Sequence, residues 1–98
     1  MNKKLLQDRV AIVTGAGGGL GRTHALELAR HGARVVVNDL GGAGHGAAAR
    51  AVVAEIQNRG GEALMHLGDV TQPDDMEQMA AYALNAWGRI DILINNAG

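Results

Sequence analysis

The sequence predicts an α/β fold, a parallel four-stranded sheet with helices on both faces. Three observations carry that expectation. Short apolar, β-branched runs alternate with segments of helical period along the chain. Each connection between two such runs holds one helix, as a crossover between parallel strands requires. Glycines stand where the helices should stop, at Gly32, Gly60, Gly61 and Gly88.

The elements follow in order. Residues 10–13, Val-Ala-Ile-Val, read as a buried strand. Residues 20–31 place Ala25, Leu28 and Ala29 on one helical face, with Glu27 and Arg30 off it. Residues 34–39 are β-branched and read as a second strand. A glycine-rich loop is expected over 41–46. Helical spacing then returns at Ala49, Val52, Val53 and Ile56. Residues 62–67 read as a third strand. Thr71 is the expected cap of the next helix, with Asp74 as its capping-box partner and Pro73 tolerated in the first turn. Met76, Met79, Ala80, Ala83 and Trp87 line one face of that helix. Residues 91–95 read as the fourth strand. The implied strand order is 3-2-1-4, which leaves the fourth strand at an edge.

Composition bounds the function. The chain has 98 residues, room for one small domain. An apolar fraction of 47% against 19% charged argues against disorder. Tyr82 and Trp87 are its only aromatics apart from histidine, so the core must be aliphatic. A net charge of −1 with no basic block disfavours nucleic acid as a partner. With no cysteine, disulfides and thiolate chemistry are excluded. No apolar stretch approaches membrane-spanning length. The expectation is a soluble cytoplasmic protein with no membrane contact and no metal.

The chemistry sits in Thr14-Gly15-Ala16-Gly17-Gly18-Gly19-Leu20-Gly21. This run leaves a strand, opens a helix and is followed by an acid at the end of the second strand. That context marks a dinucleotide site on a Rossmann-type, doubly wound sheet. Gly15 permits the tight turn. A side chain at Gly19 or Gly21 would block the pyrophosphate or the helix packing, and the amides of the first helical turn face the phosphates. Asp39 lies 18 residues after Gly21. Its carboxylate can accept both ribose hydroxyls and would repel a 2′-phosphate, and neither Leu40 nor Gly18 is basic. NAD is therefore expected over NADP. The plainer alternatives are a glycine-rich turn without a ligand and a solvated loop acid.

With these residues in view, the chain resembles the short-chain dehydrogenase/reductase family. The matching pieces are Thr14 to Gly21, then Gly68-Asp69-Val70, then Asn95-Asn96-Ala97-Gly98. The stretch from Val35 to Gly42 is similar to the hydroxyacyl-CoA dehydrogenase units of type-two peroxisomal multifunctional enzymes and their bacterial relatives. The resemblance implies a pyrophosphate turn at Gly15, Gly19, Leu20 and Gly21, with Asp39 on the adenosine ribose. It implies Asp69 at the adenine amino group, the Val70 backbone at the ring, and Asn95 bracing Thr14. Asn96, Ala97 and Gly98 would run past the cofactor's ribose. On residue type alone, Asp69 has a plainer reading as a cap for the following turn, and the asparagines read equally as a polar turn after a strand.

The family's Tyr-x-x-x-Lys pair is absent. Ala86 stands four residues after Tyr82, and Lys3 and Lys4 are the only lysines. Tyr82 is expected on a helix surface. His24, His31, His45 and His66 are unpaired in the sequence and read as surface residues, so no catalytic residue is assigned. The expectation is an NAD-binding half, truncated after the fourth strand and inactive alone. Its parent would move hydride between NAD and an alcohol or ketone, with a 3-hydroxyacyl thioester as one substrate class. A non-catalytic nucleotide-binding module and a self-associating half-domain remain alternatives. The fourth strand is the expected contact with a second copy or with a missing C-terminal half.

Overall fold

The structure, a computed structural model, describes residues 4–41 and 45–96. Seven elements alternate: β1 (Val10–Val13), α1 (Gly19–Arg30), β2 (Arg34–Asp39), α2 (His45–Asn58), β3 (Ala63–Leu67), α3 (Pro73–Trp87) and β4 (Ile92–Ile94). All strands are parallel, in the order β3-β2-β1-β4. The expected α/β class and strand order both hold.

Strand alternation divides the core into two layers. Ala11 and Val13 of β1, Val35 and Val37 of β2, and Ala63 of β3 face α1 and α2. Those helices meet them with Ala25 and Ala29, and with Ala49, Val52 and Ile56. The spacings, four residues on α1 and three then four on α2, keep each set on one helical face. The buried residues of α1 are all small, Gly21, Ala25 and Ala29, which lets its backbone lie close to the sheet. Val10, Ile12 and Val36 point the other way, onto Met79 and Ala83 of α3, flanked by Met76 and Trp87. Both faces of β1 and β2 are therefore covered, as their unbroken apolar runs demand. Ile56 is among the largest fully buried side chains. Truncating it to alanine would cost about 2–5 kcal/mol through lost burial and the cavity left behind.

The start of α2 and the cap of α3 differ from expectation. Gly46 lies inside α2, so the glycine-rich loop is shorter than 41–46; its residues 42–44 lie outside the described residues. Thr71 does not cap α3. The N-cap is Gln72, without a side-chain hydrogen bond, and Pro73 opens the helix. Asp69 explains the change. Its Oδ1 accepts both the Thr71 N–H at 2.9 Å and the Thr71 hydroxyl at 2.6 Å, so that hydroxyl is already engaged. The acid that holds the entry to α3 is Asp75, whose Oδ2 accepts the Asp69 N–H at 2.8 Å, rather than Asp74.

At the other end of the sheet, Asp91 ties β4 to β1. Its Oδ2 accepts the Val10 N–H at 2.9 Å and its carboxylate receives the Arg89 guanidinium. These contacts hold its pKa below the ordinary carboxylate range, the Arg89 hydrogen bond contributing most. Among the described residues β4 pairs with β1 alone, and Leu93 is 52% exposed.

Candidate nucleotide site

The ends of β1, β2, β3 and β4 converge at the carboxyl edge of the sheet, where open α/β sheets bind ligands. Thr14, fully buried, leaves β1 there. Gly15 then turns the chain with φ +61°, a conformation L side chains rarely adopt. The Ala16 N–H donates to the Asn38 carbonyl at 2.7 Å, which pins the loop to the end of β2. Gly18 caps α1 with no side-chain bond, and no acid stands in the first helical turn. The first amides of a helix have no intrahelical partner, so this end of α1 offers donors and partial positive charge to an anion.

The glycines have separate tasks. A Cβ on Gly21 would stand 2.2 Å from the Gly15 carbonyl oxygen and 2.7 Å from Asn96 Nδ2. Gly21 is thus required by the turn itself. Gly19 has φ +54° and faces open space, with nothing within 4 Å of a Cβ. That space is where a pyrophosphate could lie against backbone.

Asp39 ends β2. Its Oδ1 accepts the Leu40 N–H at 2.8 Å. Its Oδ2 lies over Gly17, where a Cβ would sit 2.0 Å away. Among the described residues, no cation forms an ion pair with this carboxylate, so it presents uncompensated negative charge beside the loop. Leu40 beside it is exposed. The Gly68 N–H donates to the Asp39 carbonyl at 3.0 Å, which brings the end of β3 alongside. Asp69 and Val70 follow, both half-buried. Thr71 engages the Asp69 carboxylate and lowers its pKa, which is the turn-capping geometry left open above.

Asn95 and Asn96 both hydrogen-bond Thr14. The Thr14 hydroxyl hydrogen is shared between Asn95 Oδ1 at 3.2 Å and the Ile94 carbonyl at 3.4 Å. The same oxygen accepts the Asn96 N–H at 3.0 Å. Asn96 Nδ2 donates to the Gly15 carbonyl at 3.2 Å. The turn after β1 and the end of β4 are therefore one hydrogen-bonded unit. Leu20 is exposed on the first turn of α1. Ala97 and Gly98 lie outside the described residues.

The family model for short chain dehydrogenases matches residues 9–98. The chain belongs to the short-chain dehydrogenase family. The family's cofactor is a nicotinamide dinucleotide, and the cradle fits one: open backbone at Gly19, free helix amides and an acid at the end of β2. Among relatives, peroxisomal multifunctional enzyme A of Dictyostelium discoideum is 50% identical over 94% of this chain and 21% of its own length. Peroxisomal multifunctional enzyme type 2 of Drosophila melanogaster is 54% identical over 97% and 16%. Among solved structures, hydroxysteroid dehydrogenase from Escherichia coli superposes with a TM-score of 0.87 at 42% identity, covering 95% of this chain and 38% of that one. A short chain dehydrogenase from Mycobacterium avium gives 0.88 at 45%, covering 96% and 36%. The chain thus spans 16–38% of the length of these short-chain dehydrogenase relatives.

Three residues at this site escaped sequence reasoning: Gly17, Asn38 and His66. Gly17 was hidden among neighbouring glycines. Asn38 carried a signal, since alternation places it on the same buried face as Val36, where a polar side chain needs a partner. The partner is His66, half-buried and 3.1 Å away through Nδ1. The expectation of a surface histidine is corrected there. His31 does sit at the surface, against Glu27. Tyr82 is 39% exposed on α3, as expected, with its ring 6.3 Å from that of His66.

Proposed function

We propose that this chain binds NAD in preference to NADP, and that the whole enzyme transfers hydride between NAD and an alcohol or ketone. The observation that carries the preference is the Asp39 carboxylate, held over Gly17 and unpaired with any cation among the described residues. A carboxylate there accepts two ribose hydroxyls and repels a 2′-phosphate. Gly15, Gly19, Leu20 and Gly21 would hold the pyrophosphate, with the α1 amides as donors. Asp69 and Val70 would flank the adenine. Thr14 and Asn95 would hold the floor of the site, while Asn96, Ala97 and Gly98 would pass the cofactor's second ribose.

The bound nicotinamide supplies the hydride chemistry. This chain's own residues bind and orient it. The family's Tyr-x-x-x-Lys pair is absent from this sequence: Ala86 stands four residues after Tyr82 on α3, and no lysine follows Lys4. We therefore expect no turnover from these residues alone. A 3-hydroxyacyl thioester is the favoured substrate class, from the resemblance of the stretch from Val35 to Gly42 to hydroxyacyl-CoA dehydrogenase units; a further relative is the peroxisomal hydratase-dehydrogenase-epimerase of Saccharomyces cerevisiae, 48% identical over 94% of this chain. A hydroxysteroid is the alternative, from the 42% identical 7alpha-hydroxysteroid dehydrogenase of Escherichia coli. Calorimetric titration with NAD tests binding itself. One saturable site is expected, and absence of saturation at millimolar NAD would exclude it.

A second reading concerns β4. Its outer edge carries no partner strand among the described residues, and Leu93 is exposed on it. Such an edge supports strand pairing with further sequence of the same protein or with a second copy.

A further inference from the structure

Asn38 is 1% exposed and sits one residue before Asp39, in register with His66 of β3. Its backbone carbonyl holds the glycine loop through the Ala16 N–H. Its side chain holds the other half of the site. Nδ2 lies 3.1 Å from His66 Nδ1 and 3.4 Å from the carbonyl oxygens of both His66 and Gly68. Those two carbonyls decide which end of the amide faces them, because only the NH2 group can donate. His66 Nδ1 must then accept, so the ring is neutral with its hydrogen on Nε2.

A protonated ring would set an N–H against the Asn38 NH2. Turning the amide over would set Oδ1 against two carbonyl oxygens instead. Neither arrangement satisfies all the groups, and an unsatisfied buried polar atom is costly.

The ring also lies where a side chain at Gly68 would need to be. A Cβ on Gly68 would stand 2.7 Å from His66 Cε1 and 3.3 Å from Asp75 Cβ. Gly68 bonds the Asp39 carbonyl, and Asp69 N–H bonds Asp75 Oδ2. The groups facing His66 are Asn38 from β2, and Asp75 and Tyr82 from α3. Burial lowers the His66 pKa, and the negative charge of Asp75 opposes it without reversing the direction.

We infer that Asn38 and His66 act together as positioning residues for the Gly68–Val70 loop, so that nucleotide affinity requires a neutral His66. This rests on the nucleotide-binding reading above. The sign follows from the geometry. Affinity is full above the ordinary histidine value of 6.5 and is lost as pH falls through the lower value of the folded protein.

Two measurements on this chain test it. The first needs no nucleotide. Nitrogen-15 NMR from pH 8 to pH 5 should show the Nε2–H tautomer of His66 at pH 8. The Asn38 side-chain amide and the Gly68, Asp69 and Val70 backbone amides should then move with the ring's titration. An Nδ1–H tautomer at pH 8, or an Asn38 amide indifferent to the ring, would overturn the inference. The second measures NAD affinity at pH 8 and at one pH unit below the His66 midpoint read from the NMR titration. Wild type should weaken about fivefold more than His66→Asn, the equivalent of one ordinary hydrogen bond. The asparagine Oδ1 replaces the Nδ1 acceptor and does not titrate, so its affinity should stay near the wild-type pH 8 value. His66→Leu should be weak at both. Equal pH dependence in wild type and His66→Asn would contradict the proposal. If NAD binds to no form at either pH, the nucleotide-binding reading fails and the NMR result alone decides the Asn38–His66 relationship.

Discussion

Gly17 and Asp39 are matched: a Cβ at position 17 would stand 2.0 Å from Asp39 Oδ2 and 3.1 Å from Ala48 Cβ. Gly17 thus sets where the carboxylate at the end of β2 can rest. Gly17→Ala should push Asp39 aside, at a cost of about 1–3 kcal/mol for one methyl forced into filled space. Its readout is selectivity: the NAD-over-NADP preference should shrink while the circular dichroism spectrum stays that of the wild type. Unchanged preference would show that the carboxylate does not need its present position.

Gly19 and Gly21 should separate binding from folding. Gly19→Ala meets no atom, and its φ of +54° costs about 1–2 kcal/mol. It should stay folded and lose affinity for NAD, because the methyl occupies the space the phosphates need. Gly21→Ala places a Cβ 2.2 Å from the Gly15 carbonyl oxygen and should lose stability before anything else. Urea unfolding midpoints and NAD titrations of both variants distinguish these outcomes. Equal destabilisation by the two would contradict the division of labour.

Thr14 joins β1 to the residues after β4. Thr14→Val keeps the shape and removes the acceptor of the Asn96 N–H, a loss of about 0.5–1.5 kcal/mol for one part-buried hydrogen bond. Thr14→Ser should recover most of it. Chemical denaturation of the three forms measures this, and a Thr14→Val as stable as wild type would remove the hydroxyl from any structural role.

The fold was legible in the sequence because its signals are local. The end of β2 at Asp39 was read to the residue, since three valines and a following turn leave little choice. The difference at Thr71 arises because Asp69, two residues back, takes both the Thr71 N–H and its hydroxyl, the groups a capping box with Asp74 would use, and spacing does not rank the two acids. The site was legible only as a chain of motifs. Gly17 lies far in sequence from Asp39, and His66 lies 28 residues from Asn38. Each pairing exists only once β1, β2 and β3 are laid side by side.

The edge of β4 predicts association. Leu93 is exposed there between the half-buried Ile92 and Ile94. The chain should show concentration-dependent self-association in sedimentation velocity, and Leu93→Lys should reduce it, since edge charges oppose strand pairing. A clean monomer at millimolar concentration would rule this out.

The most direct test is a paired calorimetric titration of NAD and NADP against wild type and Asp39→Ala. Wild type should bind NAD at least about tenfold more tightly than NADP, a difference of about 1.4 kcal/mol. Asp39→Ala should weaken NAD and bring the two cofactors together. Equal affinities in the wild type, or a preference that survives Asp39→Ala, would contradict the assignment of Asp39 as the residue that selects NAD.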